Sequence, residues 1–416
     1  MIADIEVFID FAGGLKRVGT LHRQARRAGE AVSFEYHPNW LGDSARFSLE
    51  PALALDRGAF VPAAGLPVFG SIGDSAPDTW GRRLMQRAER LQAKREGRPV
   101  RTLLETDYLL GVSDVSRLGA LRFRRAGEAA FLAPPTAGVP GLIELGRLLQ
   151  VTNRILRDED TEEDLQLIFA PGSSLGGARP KASVIDQRGC LAIAKFPKEL
   201  NEYSIETWEA VALRLAALAG IRTPEHQLIR VAEQPVLLSR RFDRDGSTRI
   251  PFLSALSMLG LKDGSRGSYP EMVDALSEHG AQAKVDAEEL YRRMSFNVLI
   301  SNVDDHLRNH GFSWSGTKGW TLSPAYDLNP TPSDVRPRIL TTNINLDEGT
   351  CDIGLVLSVA EYFGLSSSVA KATVKQVASV TAKWREVARA ASANPAEIRR
   401  MESAFEHDDL RKALAL

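Results

Sequence analysis

The 416-residue chain has only two cysteines, Cys190 and Cys351, too few for a disulfide framework, so a reducing cytoplasmic setting is expected. It has no apolar run approaching the roughly 18 residues that a membrane helix needs. Its opening, MIADIEVFID, is acidic and lacks the charged n-region of a signal peptide. It has no excess of one charge: 52 Lys and Arg stand against 53 Asp and Glu, a formal net charge of −1. A global nucleic-acid binder would usually be basic, so any DNA contact is expected to be local or through a partner. No internal repeat is visible. No HExxH motif occurs either, and His22, His37, His226, His279 and His407 are scattered. Asp304, Asp305, His306 and His310 could be read as a metal-hydrolase cluster. Catalytic zinc, however, wants three protein ligands of suitable geometry, and no Cys ligand lies nearby.

What the chain does have is concentrated between Asn302 and Asn329. Asp304 and Asn309 stand five residues apart, and Asp327 follows eighteen residues later. Kinases use this arrangement to hold a catalytic base and magnesium: one carboxylate accepts the proton of the attacking hydroxyl, while the Asn oxygen and the later Asp hold metal. The bland alternative is a polar turn bent by Asp304 and Asp305. The kinase reading therefore depends on an ATP site upstream.

Residues 172–181 read GSSLGGARPK, where Gly176 and Gly177 let backbone approach phosphate and successive N–H groups can form an anion-binding nest. ASVI and CLAIAKF read as two strands joined at Gly189. Lys195 ends the second strand in an apolar run, either paired with ATP phosphates or pointing to water from an edge. Trp208, Val211, Ala212, Leu215 and Leu218 then recur at helical spacing, and Gly220 ends that helix. Glu209, and next Glu206, are candidates to pair with Lys195; either could instead be a favourable acid in the first turns of the helix. QPVLLSRRFDRDG reads as a strand running into a polar turn, placed where a kinase presents backbone to adenine. The order of Gly-rich loop, strand Lys, helix Glu, hinge strand, Asp-x4-Asn and Asp matches an α+β, protein-kinase-like fold. The loop does not follow the Walker pattern, and no HRD triplet precedes Asp304.

With VGTLHR, APDTWGRRLM, SSLGGARPK, AIAKFP, SRRFDRDG, DDHLRNHGF and SPAYDLNP, nearly the whole chain resembles the HipA family of serine/threonine kinase toxins, whose fold is related to that of the phosphoinositide kinases. The resemblance implies Asp304 as catalytic base. It implies His306, Leu307, Arg308 and Asn309 as a segment contacting nucleotide and metal, and Asp327 as the magnesium-binding Asp within Tyr326, Asp327, Leu328 and Asn329. It implies Gly176, Gly177, Ala178, Arg179, Pro180 and Lys181 as the phosphate loop, Lys195 as the phosphate-pairing lysine, and Arg240, Arg241 and Phe242 at adenine. Ser174, or its neighbour Ser173, falls on the serine that some members autophosphorylate. Departures are Asp305, where Gly or Ala is common, and Arg308, where Lys is common. ATP and Mg2+ are the implied cofactors. A helix-turn-helix antitoxin like HipB is the implied partner, with operator DNA reached mainly through it. A protein substrate such as an aminoacyl-tRNA synthetase is implied, and no membrane. A non-catalytic corepressor is the alternative, with a lipid or small-molecule kinase a third reading.

Length predicts two or three domains. The pattern gives an N-terminal β-rich subdomain over 1–125, an Ala/Pro/Gly-rich linker over 126–142, a nucleotide-binding lobe over 143–250 and a mainly helical lobe over 251–416. TWGRRLMQRAERLQAKR reads as a basic helix with a solvated face, or alternatively a partner surface. SSSVAKATVKQVASVTAKWREVARAAS reads as one long helix, with Val369, Thr373, Val377, Val380 and Trp384 as its core stripe.

Overall fold

The computed structural model describes residues 4–11, 14–26, 29–132, 139–169, 177, 179–198, 202–316 and 318–416. Of the expected linker, 133–138 lie outside the described residues. Two sheets carry most of the strand content. Strands β1 (Ile5–Asp10), β2 (Leu15–Arg26), β3 (Gly29–Tyr36), β4 (Ala59–Phe60) and β5 (Leu121–Arg125) form a sheet of order β4-β3-β2-β1-β5. Strands β6 (Lys181–Ile185), β7 (Leu191–Lys195), β8 (His226–Val231) and β9 (Gln234–Arg240) form another, of order β6-β7-β9-β8. The chain divides into two compact units. The first is Met1–Glu199 with Val231–Gln234 and Leu238–Leu253; the second is Leu200–Arg230 with Pro235–Leu237 and Ser254–Leu416.

In the first unit the N-terminal sheet is antiparallel, with Ile5 opposite Leu21 on one side and Arg125 on the other. Strand β3 shows the period of two that a half-buried strand requires: Val32, Phe34 and Tyr36 are buried and Glu35 is exposed. The helices are α1 (Pro38–Leu41), α2 (Gly70–Gly73), α3 (Thr79–Glu96), α4 (Glu105–Gly111), α5 (Leu145–Leu156) and α6 (Glu162–Phe169). Helix α3 starts where Asp78 accepts from the Gly81 amide at 2.8 Å, and stops at Gly97 with φ +63°. Its basic face is largely solvated, as expected, with Arg83, Arg90, Lys94 and Arg95 exposed, but three of its arginines are ion-paired. Arg82 pairs with Glu105 at 2.7 Å, Arg87 with Asp160 at 2.7 Å and Arg95 with Glu162 at 2.8 Å. Those acids come from helices α4 and α6 and the turn before α6, which helical periodicity within α3 could not reveal.

A buried acid in this unit makes stability depend on pH. Burial, opposed by hydrogen bonds from Ser71 and aided by the charge of Asp74, raises Glu50 to about 7. The folded state therefore holds this proton more tightly than the unfolded chain. Its stabilising contribution is complete below pH 4.5 and is lost as pH rises through about 7. Glu50→Gln keeps an acceptor for the Ser71 amide, 2.5 Å away, and carries no charge. The variant is expected to show a flatter Tm between pH 5 and 8 and a higher Tm than wild type at pH 8. An unchanged pH slope would remove Glu50 as its source.

The second unit is built on helices α7 (Ile205–Leu218), α8 (Ala255–Met258), α9 (Tyr269–His279), α10 (Ala283–Leu299), α11 (Ile353–Ser358), α12 (Ser367–Thr381), α13 (Trp384–Ala390), α14 (Pro395–Arg400), α15 (Glu402–Phe405) and α16 (Asp408–Ala415). Between α7 and α8 the chain also forms short strands β10 (Arg244–Asp245) and β11 (Thr248–Arg249), which belong to the first unit, and β12 (Phe252–Ser254); in the second unit β13 (Gly311–Trp314) pairs with β14 (Trp320–Leu322). Helix α9 begins in a capping box, with Ser268 and Glu271 each accepting from the other's amide. Helix α10 is the core rod, burying Leu290, Tyr291, Met294, Phe296 and Val298.

The single long helix expected near the C-terminus is two helices, α12 and α13. The core stripe is also rotated: Ala370, Val374, Val377, Ala378 and Thr381 are buried, while Val369 is 49% exposed. The Ser366 cap places Val369 in the first turn on the solvent side. Trp384 does lie in the core, stacked on Phe405 with ring centroids 4.7 Å apart and beside Trp208 at 6.0 Å. Among the described residues, no helix is long and apolar enough to cross a membrane.

Candidate active site

Helix α10 delivers the chain into the loop that carries Asp304. The Asp304 side chain is 56% exposed and meets Arg336 Nη1 at 3.2 Å. Its carbonyl closes the loop, accepting from Asn309 Nδ2 at 3.0 Å and from the His306 amide at 2.9 Å. One end of the Asn309 carboxamide is thereby committed. The other end, Oδ1, is buried and has no hydrogen-bond partner. Leaving such an oxygen unpaired costs roughly 1–3 kcal/mol. A hard oxygen donor of this kind suits Mg2+. His306 Nδ1 is likewise buried and unpartnered.

The neighbouring carboxylate has the opposite environment. Asp305 is 1% exposed and accepts from Tyr269 Oη at 2.6 Å, Asn297 Nδ2 at 3.1 Å and His310 Nε2 at 3.1 Å. Burial and the Asp305 charge together push the Tyr269 hydroxyl well above its usual pKa, so it stays a donor. Asp305 therefore anchors the loop. His310 is spent on it, and among the described residues no group of three His, Cys, Asp or Glu side chains could hold a metal ion.

The second segment is fixed to the first. Asp327 adopts φ +59°, a conformation costly for a residue with a Cβ and found disproportionately at functional sites. Asn329 Nδ2 donates to the Asp327 carbonyl at 3.1 Å, and the Asn329 amide donates to Asn302 Oδ1 at 3.2 Å. Tyr326 Oη donates to the Arg308 carbonyl at 2.8 Å, while Arg308 pairs with Asp263 at 2.7 Å. Leu307 and Leu328 are buried, and Asn329 Oδ1 is buried without a partner. Asp304, Asn309 and Asp327 are thus held on one framework within the second unit. Asn297, Asn302, Tyr269 and Arg336 take part in that framework and carry no motif that would reveal them in sequence.

The upstream residues lie in the first unit. Gly176 and Ala178, and the serines Ser173 and Ser174, lie outside the described residues. Gly177 has φ +100°, which a Cβ would oppose, and its carbonyl accepts from the Trp80 amide at 3.3 Å. Arg179 is half-buried, and the Pro180 carbonyl accepts from Phe196 at 3.0 Å. Lys181 is buried, with its ammonium 2.9 Å from Asp78. Lys195 is half-buried and pairs in register with Lys181. Arg240 is half-buried, and the Phe242 ring lies 6.0 Å from Phe252. Arg241 is buried, and its guanidinium is committed to Asp243 and to the carbonyls of Ser116 and Arg117. Glu206 and Glu209, in the second unit, are both buried.

Residues 11–106 match the HipA N-terminal domain, and residues 173–384, just over half the chain, match the HipA-like C-terminal domain. This chain belongs to the HipA family. Its α+β, kinase-like HipA fold agrees with that membership. Shewanella oneidensis HipA, solved in complex with HipB and its operator DNA, superposes with a TM-score of 0.66 at 16% identity, over 99% of this chain and 96% of that one. A Haemophilus influenzae protein named "Putative kinase" is 23% identical over 223 residues, which is 46% of this HipA-family chain and 64% of the relative. "Putative kinase Y4dM" of Sinorhizobium fredii is 30% identical over 155 residues, 33% of this chain and 37% of the relative. The chain thus spans less than two thirds of the length of both curated relatives.

Proposed function

We propose that this HipA-family chain is an ATP-dependent serine/threonine protein kinase acting as the toxin of a toxin–antitoxin module. The observation that carries the reading is the framework joining exposed Asp304, the unpartnered Asn309 oxygen and left-handed Asp327. In this mechanism the target hydroxyl gives its proton to Asp304 as its oxygen bonds the γ-phosphorus. The bond from that phosphorus to the bridging oxygen breaks, and ADP leaves. Asn309 Oδ1 and the Asp327 carboxylate would hold Mg2+, which when bound neutralises phosphate charge. Lys195 is assigned to the ATP phosphates. Arg336 forms an exposed pair with Asp304 worth at most about 1 kcal/mol, so an arriving hydroxyl displaces it at little cost.

The partner is assigned as a helix-turn-helix antitoxin like the HipB bound in the Shewanella neighbour, with operator DNA reached through it. The substrate is assigned as a cytosolic protein, with an aminoacyl-tRNA synthetase the first candidate. Modification of Ser174 or Ser173 would place close to two negative charges in a loop assigned to ATP phosphates, and so switch the enzyme off.

Labelled ATP added to a cytosolic lysate with wild type or Asp327→Ala tests the reading. A labelled band only with wild type is expected, together with phosphate on the 173–174 peptide by mass spectrometry. No transfer by a wild type whose loop serines are unmodified would favour a non-catalytic corepressor.

A further inference from the structure

The geometry points to Asn297 as a positioning residue that holds the Asp304 loop and the Asp327 segment in one register. This rests on the kinase reading above. Asn297 sits near the end of α10, is 3% exposed, and belongs to none of the motifs read from the sequence. Its neighbours fix its orientation. The Asp305 carboxylate only accepts, so Asn297 Nδ2, 3.1 Å from Asp305 Oδ2, must face it. The same amide donates to Tyr269 Oη at 3.0 Å, and that hydroxyl's own hydrogen goes to Asp305. Asn297 Oδ1 is left to accept from Asn302 Nδ2 at 3.0 Å. Asn302 Oδ1 then accepts from the Asn329 amide, and Asn329 Nδ2 donates to the Asp327 carbonyl.

Turning over any of the three carboxamides would set acceptor against acceptor or donor against donor. The result is an unbroken polar chain, three carboxamides long. It begins at the residue bonded to the candidate base and ends at the peptide of the candidate metal-binding Asp. Because Asn297 and Asn302 are buried, an unmade link between them is expensive and the chain acts as a unit. Removing the Asn297 amide takes one donor from Asp305 and the acceptor from Asn302. The Asp304 loop and the Asp327 segment then lose their common reference.

Wild type, Asn297→Ala, Asn302→Ala and the double variant of the full chain are compared. The first readout is Mn2+ affinity with a non-hydrolysable ATP analogue, followed by loss of the free-ion electron paramagnetic resonance signal. The second is kcat for phosphate transfer. Each single variant is expected to lose about 10–100-fold in Mn2+ affinity and a similar factor in kcat. Nucleotide affinity without metal should be unchanged. The double variant should lose no more than the worse single, since both break the same chain. Unchanged Mn2+ affinity in a folded single variant, or fully additive losses, overturns the proposal. If Asn297→Ala does not fold, Asn329→Ala breaks the chain at its half-buried end; the same loss is expected, and no loss overturns it. Mn2+ affinity that falls in the variants, with a wild type that transfers no phosphate, sinks the kinase reading and leaves the positioning role standing. A wild type that holds no Mn2+ sinks both.

Discussion

If Asp304 is the general base proposed above, Asp304→Ala is expected to lower the rate of phosphate transfer by about 10²–10⁴-fold, the range a positioned general base contributes, and to leave folding stability almost unchanged. The two expectations follow from separate parts of the residue. The carboxylate is half-exposed, and Arg336, 59% exposed, is its ion-pair partner. Losing such a pair costs at most about 1 kcal/mol. The part of Asp304 that shapes the loop is its carbonyl, which accepts from Asn309 and His306, and alanine keeps it. Initial rates and Tm on the same preparation separate chemistry from folding. A variant within threefold of the wild-type rate would mean that Asp304 is not the base. A large fall in Tm would mean that the exposed carboxylate holds structure after all. Asp305→Ala makes the contrast, because it strips Tyr269, Asn297 and His310 of a shared buried acceptor and so attacks the fold itself.

That contrast marks the limit of what was legible in the sequence. The hairpin of β6 and β7, the helix beginning at Ile205 and the turn at Gly189 are local, and their residues state them through alternation, helical spacing and turn chemistry. The spacing of Asp304, Asn309 and Asp327 was equally readable. Which of two adjacent aspartates faces solvent was not a local question. Asp305 is buried because Tyr269, 36 residues earlier, and Asn297, eight residues earlier, turn toward it. The same holds for the arginines of α3, whose acids come from other elements, and for α12, whose buried face is set by what packs on it. Pattern reads the period of an element reliably. It reads the phase poorly when two faces are similarly apolar, as Val369 and Val374 show.

The SRRFDRDG stretch gives the largest expected loss of stability. Read from sequence, it lies where adenine would be met, but most of its side chains serve the first unit. Asp243 is 1% exposed and accepts from Arg241 at 2.5 and 2.6 Å, from Arg244 at 2.6 Å and from the Gly119 amide at 2.7 Å. Burial works to raise its pKa, but the charges of Arg241 and Arg244 outweigh it and hold the group at about 2. Both guanidinium groups also donate to the carbonyl of Arg117, and Arg244 to that of Gly119. One carboxylate thus neutralises two cations that clasp the segment leading into β5. Asp243→Ala leaves those cations buried without it, and breaking a buried pair from one side costs about 3–5 kcal/mol. Asp243→Asn, which keeps an acceptor but no charge, should fall between alanine and wild type. The sign of the pH dependence follows from the depressed pKa: the contribution is complete above pH 3.8 and is lost as pH falls through about 2. The gap between wild type and Asp243→Ala in urea unfolding should therefore be constant near neutrality and narrow across that acid window. A gap under about 1 kcal/mol at pH 7 would mean that the carbonyls alone satisfy both arginines. The charge of Asp243 would then be irrelevant to the clasp.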